Sequence, residues 1–262
     1  SNGMGVVPSF VAVNAGNILL TSTISVLPQL NSCIGTAVNY TVQVKPIPSF
    51  VAPPNQTICE GAFVPAIPLI SNPPGANFTW LNNNSSIGLS ASGAGSIPTF
   101  TAVNNTGNSL AAAVTIDLTL AGCKGIAQGY ALTIHPKPVV TAVANQSVCD
   151  SASMPTTIFT STPAGATYNW TNSNTNIGLS SSGIGDISAF IAHNSTTITL
   201  NSNLTVTPIL NGCSGLAQNF TYQVRPLPQV FVPQNSIACD ATMLATPVFS
   251  SIPSGASYSW SR

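Results

Sequence analysis

The sequence predicts an all-β chain, a tandem array of two-sheet sandwich modules with an exact 90-residue repeat, and three observations carry that reading. The first is register. Trp80, Trp170 and Trp260 stand 90 residues apart, and the six cysteines fall into two series with the same step: Cys33, Cys123, Cys213 and Cys59, Cys149, Cys239. The second is a period-two alternation of apolar residues with no helical periodicity or caps anywhere, the pattern of strands with one buried face. The third is composition: 262 residues hold five Lys and Arg and five Asp and Glu, 4% charged and net zero, while 44% of the chain is apolar. Ordinary soluble domains are about 25% charged.

That composition excludes several classes. Disorder requires low hydrophobicity and high net charge, and this chain has neither. Five scattered cations cannot lay a track along phosphates, so nucleic acid is not an expected partner. Coiled coils and long surface helices need charged exposed faces. No apolar run nears the roughly 18 residues of a spanning helix, so no membrane span is expected in these residues.

The elements follow in order along one module. Val139 to Val148 reads as the first strand, Thr156 to Thr160 as the second, and Thr167-Tyr168-Asn169-Trp170 as a third that carries a core tryptophan. Ile187 to Ala192 is the next, and its Phe190 repeats as Phe100 and Phe10. A closing hairpin comes last. Ala113 to Leu120 and Leu204 to Leu210 form its first arm. Tyr40, Val42, Val44, then Tyr130, Leu132, Ile134, then Phe220, Tyr222, Val224 mark the buried face of its second. Asn211-Gly212-Cys213-Ser214-Gly215 turns between the arms. Some seven short strands per module, punctuated by Gly, Pro, Asn and Ser, match an immunoglobulin-like sandwich. Trp80, Trp170, Trp260, Phe10, Phe100 and Phe190 are the expected core.

Phase comes from the linkers Lys45-Pro46-Ile47-Pro48, His135-Pro136-Lys137-Pro138 and Arg225-Pro226-Leu227-Pro228. Proline there removes ladder donors and stiffens the chain. The expected division is a partial module over 1–46 (a C-terminal half), complete modules over 47–136 and 137–226, and a partial module over 227–262 (an N-terminal part). An array that starts and stops in mid-module reads as a segment of a longer protein.

The order N-Q-x-x-C (Asn55 to Cys59, Asn145 to Cys149), Phe78-x-Trp80 or Tyr168-x-Trp170, Ile-Gly-Leu-Ser at 87–90 and 177–180, S-G-x-G at 92–95 and 182–185, then A-G-C or N-G-C and a Pro-x-Pro exit resembles the PKD-like repeats of giant secreted surface proteins of Bacteroidota-type bacteria. The resemblance spans nearly the whole chain. It implies export to the cell surface and a role as adhesin, stalk or filament, with neighbouring modules, other copies in a fibre, and glycans or a surface receptor as partners. No cofactor is implied.

Two cysteines per module with no C-x-x-C pair read as disulfides rather than metal ligands. Pairing within modules would join Cys59 to Cys123 and Cys149 to Cys213. Sandwich topology favours a cross-joint bond between Cys59 and Cys213. The first cysteine follows the first strand at one end of a module, the second sits in the hairpin turn at the other end, and those ends lie on the order of 20 Å apart, against about 7 Å between disulfide-linked Cα atoms. On the cross-joint scheme Cys33 and Cys239, like Cys123 and Cys149, have their partners outside these residues.

Charge is sparse enough that its position informs. Glu60, Asp150 and Asp240 share one repeat position and Lys45, His135 and Arg225 another, at the same end of the sandwich. Joint pairs His135 with Glu60 and Arg225 with Asp150 are expected. Catalysis is not. His135 and His193 are not equivalent positions, no carboxylate pair recurs, and general acid–base chemistry needs such groups in place. S-G-x-G with no following helix or Lys reads as a β-turn rather than a phosphate nest, and five acids over three modules do not make a calcium cage. Repeated aromatics fit a core better than sugar-stacking platforms. Asp150-Ser151-Ala152 is similar to the O-glycan acceptor pattern of the same bacterial group, which marks Ser151.

The reading as a whole is a structural and adhesive repeat region of a long extracellular protein, a stiff stalk or filament. The alternatives are a carbohydrate-binding array of a secreted enzyme and a fibre subunit that polymerises by strand exchange.

Overall fold

The computed structural model describes residues 3–261. The chain divides between His135 and Pro136 into two compact units, each holding one complete sandwich and one fragment of another.

In the first unit the main sheet runs in the order Ser92–Ala94, Asn77–Asn82, Leu110–Leu120, Gln128–His135, Gln56–Cys59. All neighbours are antiparallel except the last, where Gln56–Cys59 lies parallel to the hairpin's second arm, Ile58 opposite Ile134. The facing layer consists of short pairs: Ser49–Phe50 with Ser71–Asn72, and Phe63–Val64 with Phe100–Thr101. The second unit repeats this arrangement, with Gln146–Cys149 parallel to Gln218–Arg225 and Ser153–Met154 paired with Phe190–Ile191. This is an all-β, immunoglobulin-like tandem.

The alternation determines what is inside. Along Leu110–Leu120, Ala112, Val114, Ile116 and Leu118 are buried and their neighbours are not. Across the ladder Tyr130, Leu132 and Ile134 cover the same face, as Phe220, Tyr222 and Val224 do in the second unit. Burial of apolar area, worth roughly 25 cal/mol per Å², makes this inward row a main source of the stabilisation of each sandwich, together with Trp80 and Phe78 in the first and Trp170 and Tyr168 in the second.

Several expectations are refined. The stretch 139–148 is two strands, Val139–Val140 and Gln146–Cys149, which pair with different sheets, so the chain changes layer inside the element read as one. Between 156 and 160 only an isolated bridge forms, Thr157 with Ile187. The S-G-x-G motif is an edge strand rather than a simple turn. Gly93 pairs with Trp80 and Gly183 with Trp170, and a Cβ on either glycine would lie 2.1 or 2.2 Å from the indole ring. The motif therefore leaves room for tryptophan.

Each fragment retains only local structure. Residues 20–44 form a two-stranded hairpin, Leu20–Val26 with Val38–Val44. In 227–261, Gln229–Phe231 pairs with Ser250–Ile252, and Ser251 Oγ donates to Pro253 O at 2.8 Å, as Ser71 does to Pro73 and Ser161 to Pro163. Two expected core residues are corrected here: Phe10 and Trp260 are exposed, because no strand among the described residues covers them. Phe190 is half-buried against its core, while Trp80, Trp170 and Phe100 are buried as expected.

Candidate functional site at the module joint

The first unit contains a joint in full. The strand Val38–Val44 leaves its hairpin through Lys45-Pro46-Ile47-Pro48, with both prolines buried. Lys45 Nζ donates to the carbonyl of Ala121 at 2.9 Å. Ala121 sits at the hairpin tip with φ 49°, the left-handed turn geometry that leaves its carbonyl free to accept. Leu19, Pro46 and Leu120 line an apolar notch around this contact. One step further the Pro48 carbonyl lies against Gly125, where an added Cβ would be 2.3 Å away; in the second unit Pro138 O meets Gly215 in the same manner at 1.8 Å. The last glycine of each hairpin turn is thus the seat of the Pro-x-Pro exit strand.

The cysteines are sorted unevenly. Cys59 and Cys213 are disulfide-bonded, whereas Cys33, Cys123, Cys149 and Cys239 carry free thiols. Cys213 is buried, and Cys33, Cys149 and Cys239 are exposed. Because Cys123 and Cys149 are free, the within-module alternative is not the bonding present here.

The expected charge positions do meet, but through the backbone. Glu60 N–H donates to His135 O at 2.9 Å and Asp150 N–H to Arg225 O at 2.8 Å. At Asp150 the side chain is partnered by something other than Arg225. The His135 ring meets Ser109 Oγ at 2.6 Å through Nδ1, and Asp150 lies 3.7 Å from His193 Nδ1 rather than against Arg225. The parallel ladder places Arg225 opposite Cys149, so its side chain projects from an adjacent strand while the loop after Ala192 curls over Asp150. The Asn194 backbone N–H at 2.7 Å is the main cause that holds the Asp150 carboxyl below its ordinary value; the Ser151 hydroxyl and His193 add to it, against an opposing effect of desolvation. Ser151 is exposed, with φ 62° and its hydroxyl donating to Asp150 Oδ2 at 3.2 Å.

Sequence reasoning missed one repeated device at the module exit. Asn14, Asn104 and Asn194 stand 90 residues apart. Each amide donates twice: Asn14 to Ile18 O and Val44 O, Asn104 to Asn108 O and Ile134 O, Asn194 to Ile198 O and Val224 O, all between 2.7 and 2.9 Å. Each Oδ1 accepts the N–H two residues on. The side chain closes its own loop and satisfies a carbonyl of the last strand, which otherwise would be buried without a partner. The 90-residue step of these asparagines was the signal available.

No protein-family model matches the chain, and no curated protein does. Among solved structures, the DIP-gamma IG1+IG2 fragment covers 69% of this chain and 98% of its own at 10% identity, TM-score 0.34. The Ig1-2 module of the Drosophila receptor protein tyrosine phosphatase DLAR covers 68% and 99% at 13% identity, TM-score 0.25. Human mucin-like protocadherin EC1-2 covers 69% and 98% at 9% identity, TM-score 0.35. Likeness this distant says nothing about activity or partners. No helix among the described residues is long and apolar enough to cross a membrane.

Proposed function

We propose that the chain is a structural and adhesive repeat region of an extracellular surface protein, a stalk of PKD-like immunoglobulin-type modules divided near residues 46, 136 and 226. One observation carries this reading. Of the six cysteines, the oxidised ones are the first of one complete module and the second of the next, while their repeat-mates Cys123 and Cys149 are free. A bond from Cys59 to Cys213 across the joint accounts for that pattern. Persistent disulfides belong to oxidising compartments, which supports an extracellular location.

The joint chemistry supports stiffness. Proline restricts the exit strand, the hairpin glycine seats it, and Lys45 anchors the turn ahead. Function then lies in spacing and mechanical continuity. A carbohydrate-binding array is the weaker reading, because Phe78, Trp80, Tyr168 and Trp170 are buried in the cores instead of forming platforms. Non-reducing peptide mapping tests the proposal. The expected product links the Cys59 and Cys213 peptides, and a Cys59–Cys123 link would end it. Electron micrographs of the native assembly should show an axial spacing near 40 Å per module, close to the length of an 11-residue strand at about 3.3 Å per residue.

A further inference from the structure

The two oxidised cysteines stand where the chain enters one complete module and where it prepares to leave the next. Cys59 closes the entry strand Gln56–Cys59 opposite His135 on the exit strand, and Glu60 beside it donates its N–H to His135 O. Cys213 opens the returning arm of the second hairpin. It is buried and paired with Leu210, and the chain runs on from it into the exit strand Gln218–Arg225. Each anchor is thus held in the main sheet of its own module. Between the anchors lie residues 60–212, which hold most of both cores and the whole His135-Pro136-Lys137-Pro138 joint.

We propose that the Cys59–Cys213 bond is a load-bearing strap: tension along the chain passes through the two sulfurs and goes around residues 60–212, so that the two modules keep their length when pulled. This deepens the stalk reading and rests on the bond proposed there. Length carries the argument. Fully extended backbone spans at most about 3.3–3.6 Å per residue, so the path from Pro48 to Pro226 along the chain is roughly 600 Å. Through the bond only 48–59 and 213–226 are in line, roughly 90 Å with the disulfide's own Cα–Cα span included. Two folded modules at the spacing expected above occupy about 80 Å. The strap is therefore close to taut while both modules are folded, and opening either core releases almost no length. Tension speeds unfolding only where opening lengthens the loaded path, so the cores are shielded.

Pairing within modules would not have this effect. Bonds from Cys59 to Cys123 and from Cys149 to Cys213 would leave 48–59, 123–149 and 213–226 in line, roughly 180 Å for the same two modules. Crossing the joint is what brings the covalent path down to the folded length. It also takes the Pro-x-Pro segment 136–138 off the loaded path, together with the free thiols Cys123 and Cys149. Reduction undoes the strap. A dithiol such as dithiothreitol supplies two electrons and two protons, the S–S bond becomes two thiols, and the reagent closes to its own cyclic disulfide. The load then runs through both cores.

The test pulls the 262-residue chain by peptide tags at its two ends in optical tweezers, with the free thiols alkylated beforehand. The oxidised chain is expected to reach a contour shorter than the reduced chain by roughly 500 Å, with no opening event of a complete module. After dithiothreitol the same molecules should give two further events of roughly 250 Å each. The Cys59→Ser, Cys213→Ser double variant should show both events with or without reductant. A protease added under sustained tension reads whether the cores stay folded. Oxidised tethers should survive the later reduction, because a cut anywhere in 60–212 would then break them, while tethers of the double variant should break during the exposure. Peptide mapping of the oxidised sample separates the strap from the stalk reading. If Cys59–Cys213 is mapped but the cores are cut under tension as fast as in the double variant, the strap is overturned and the stalk reading stands. If oxidised molecules give both module events and mapping finds no Cys59–Cys213 link, the strap and the stalk reading fall together.

Discussion

Gly183 and Trp170 set how closely the edge strand lies against the main sheet, because the indole ring occupies the space of the missing Cβ. A ring locked in a packed core cannot retreat, so Gly183→Ala is expected to lower the stability of the second sandwich by about 2 kcal/mol or more, read by urea unfolding. Asn194 has the converse role, satisfying carbonyls instead of making room. Asn194→Ala strands the Val224 carbonyl and opens the loop at 194–198, a loss of about 1–3 kcal/mol in the same measurement. Asp150 makes stability depend on pH. Its carboxyl is held below the ordinary value of 3.8, so its contribution is complete above that value. As pH falls below it, the unfolded chain takes up the proton first, and the contribution is lost as pH passes through the lower folded value. Asp150→Asn should flatten the acid limb of the melting curve of the second sandwich and leave the first unchanged.

At the scale of elements, the hairpin and the exit strand work together. The turn ends in a glycine because the next piece of backbone, Pro48 or Pro138, comes to rest there. Valine at Gly215 has no place for its side chain, since the obstacle is a carbonyl and not a flexible side chain. Gly215→Val should therefore shift the Pro138 segment, seen as changed amide shifts at 137–140 and a lower melting temperature. Much of this was legible from local pattern. The buried rows Tyr130, Leu132, Ile134 and Phe220, Tyr222, Val224 follow from alternation alone. The layer change between Val140 and Gln146 did not, because both halves are short, apolar and extended, and only their partners, Ser161–Thr162 and Gln218–Arg225, distinguish them. The asparagine device was hidden for a similar reason: its acceptors, Ile134 O and Val224 O, lie 30 residues away from the donors.

For the whole molecule, charge has been kept scarce and uneven. Lys124 forms an ion pair with Asp117 at 2.9 Å on exposed surface, where such a pair contributes little, and His193 Nδ1 lies 3.7 Å from Asp150. A neutral surface of amides and hydroxyls has little charge repulsion to oppose association. If the proposed joint bond holds neighbouring modules in line, replacing Cys59 and Cys213 together by Ser should leave each sandwich folded. The melting temperatures should move by only a few degrees, while the maximum dimension from small-angle scattering should shorten or broaden.

The sequence by itself determined the 90-residue array, the β class, the inward rows of each hairpin and the buried tryptophans of the complete modules, because period and alternation are local properties of the chain. Tertiary structure alone decided which thiols are oxidised, where Asp150 finds its partners, and that Phe10 and Trp260 stand exposed. Each of these depends on residues distant in sequence arriving, or failing to arrive, within a few ångströms, and a repeat pattern places equivalent residues in register without saying whether their neighbours are present.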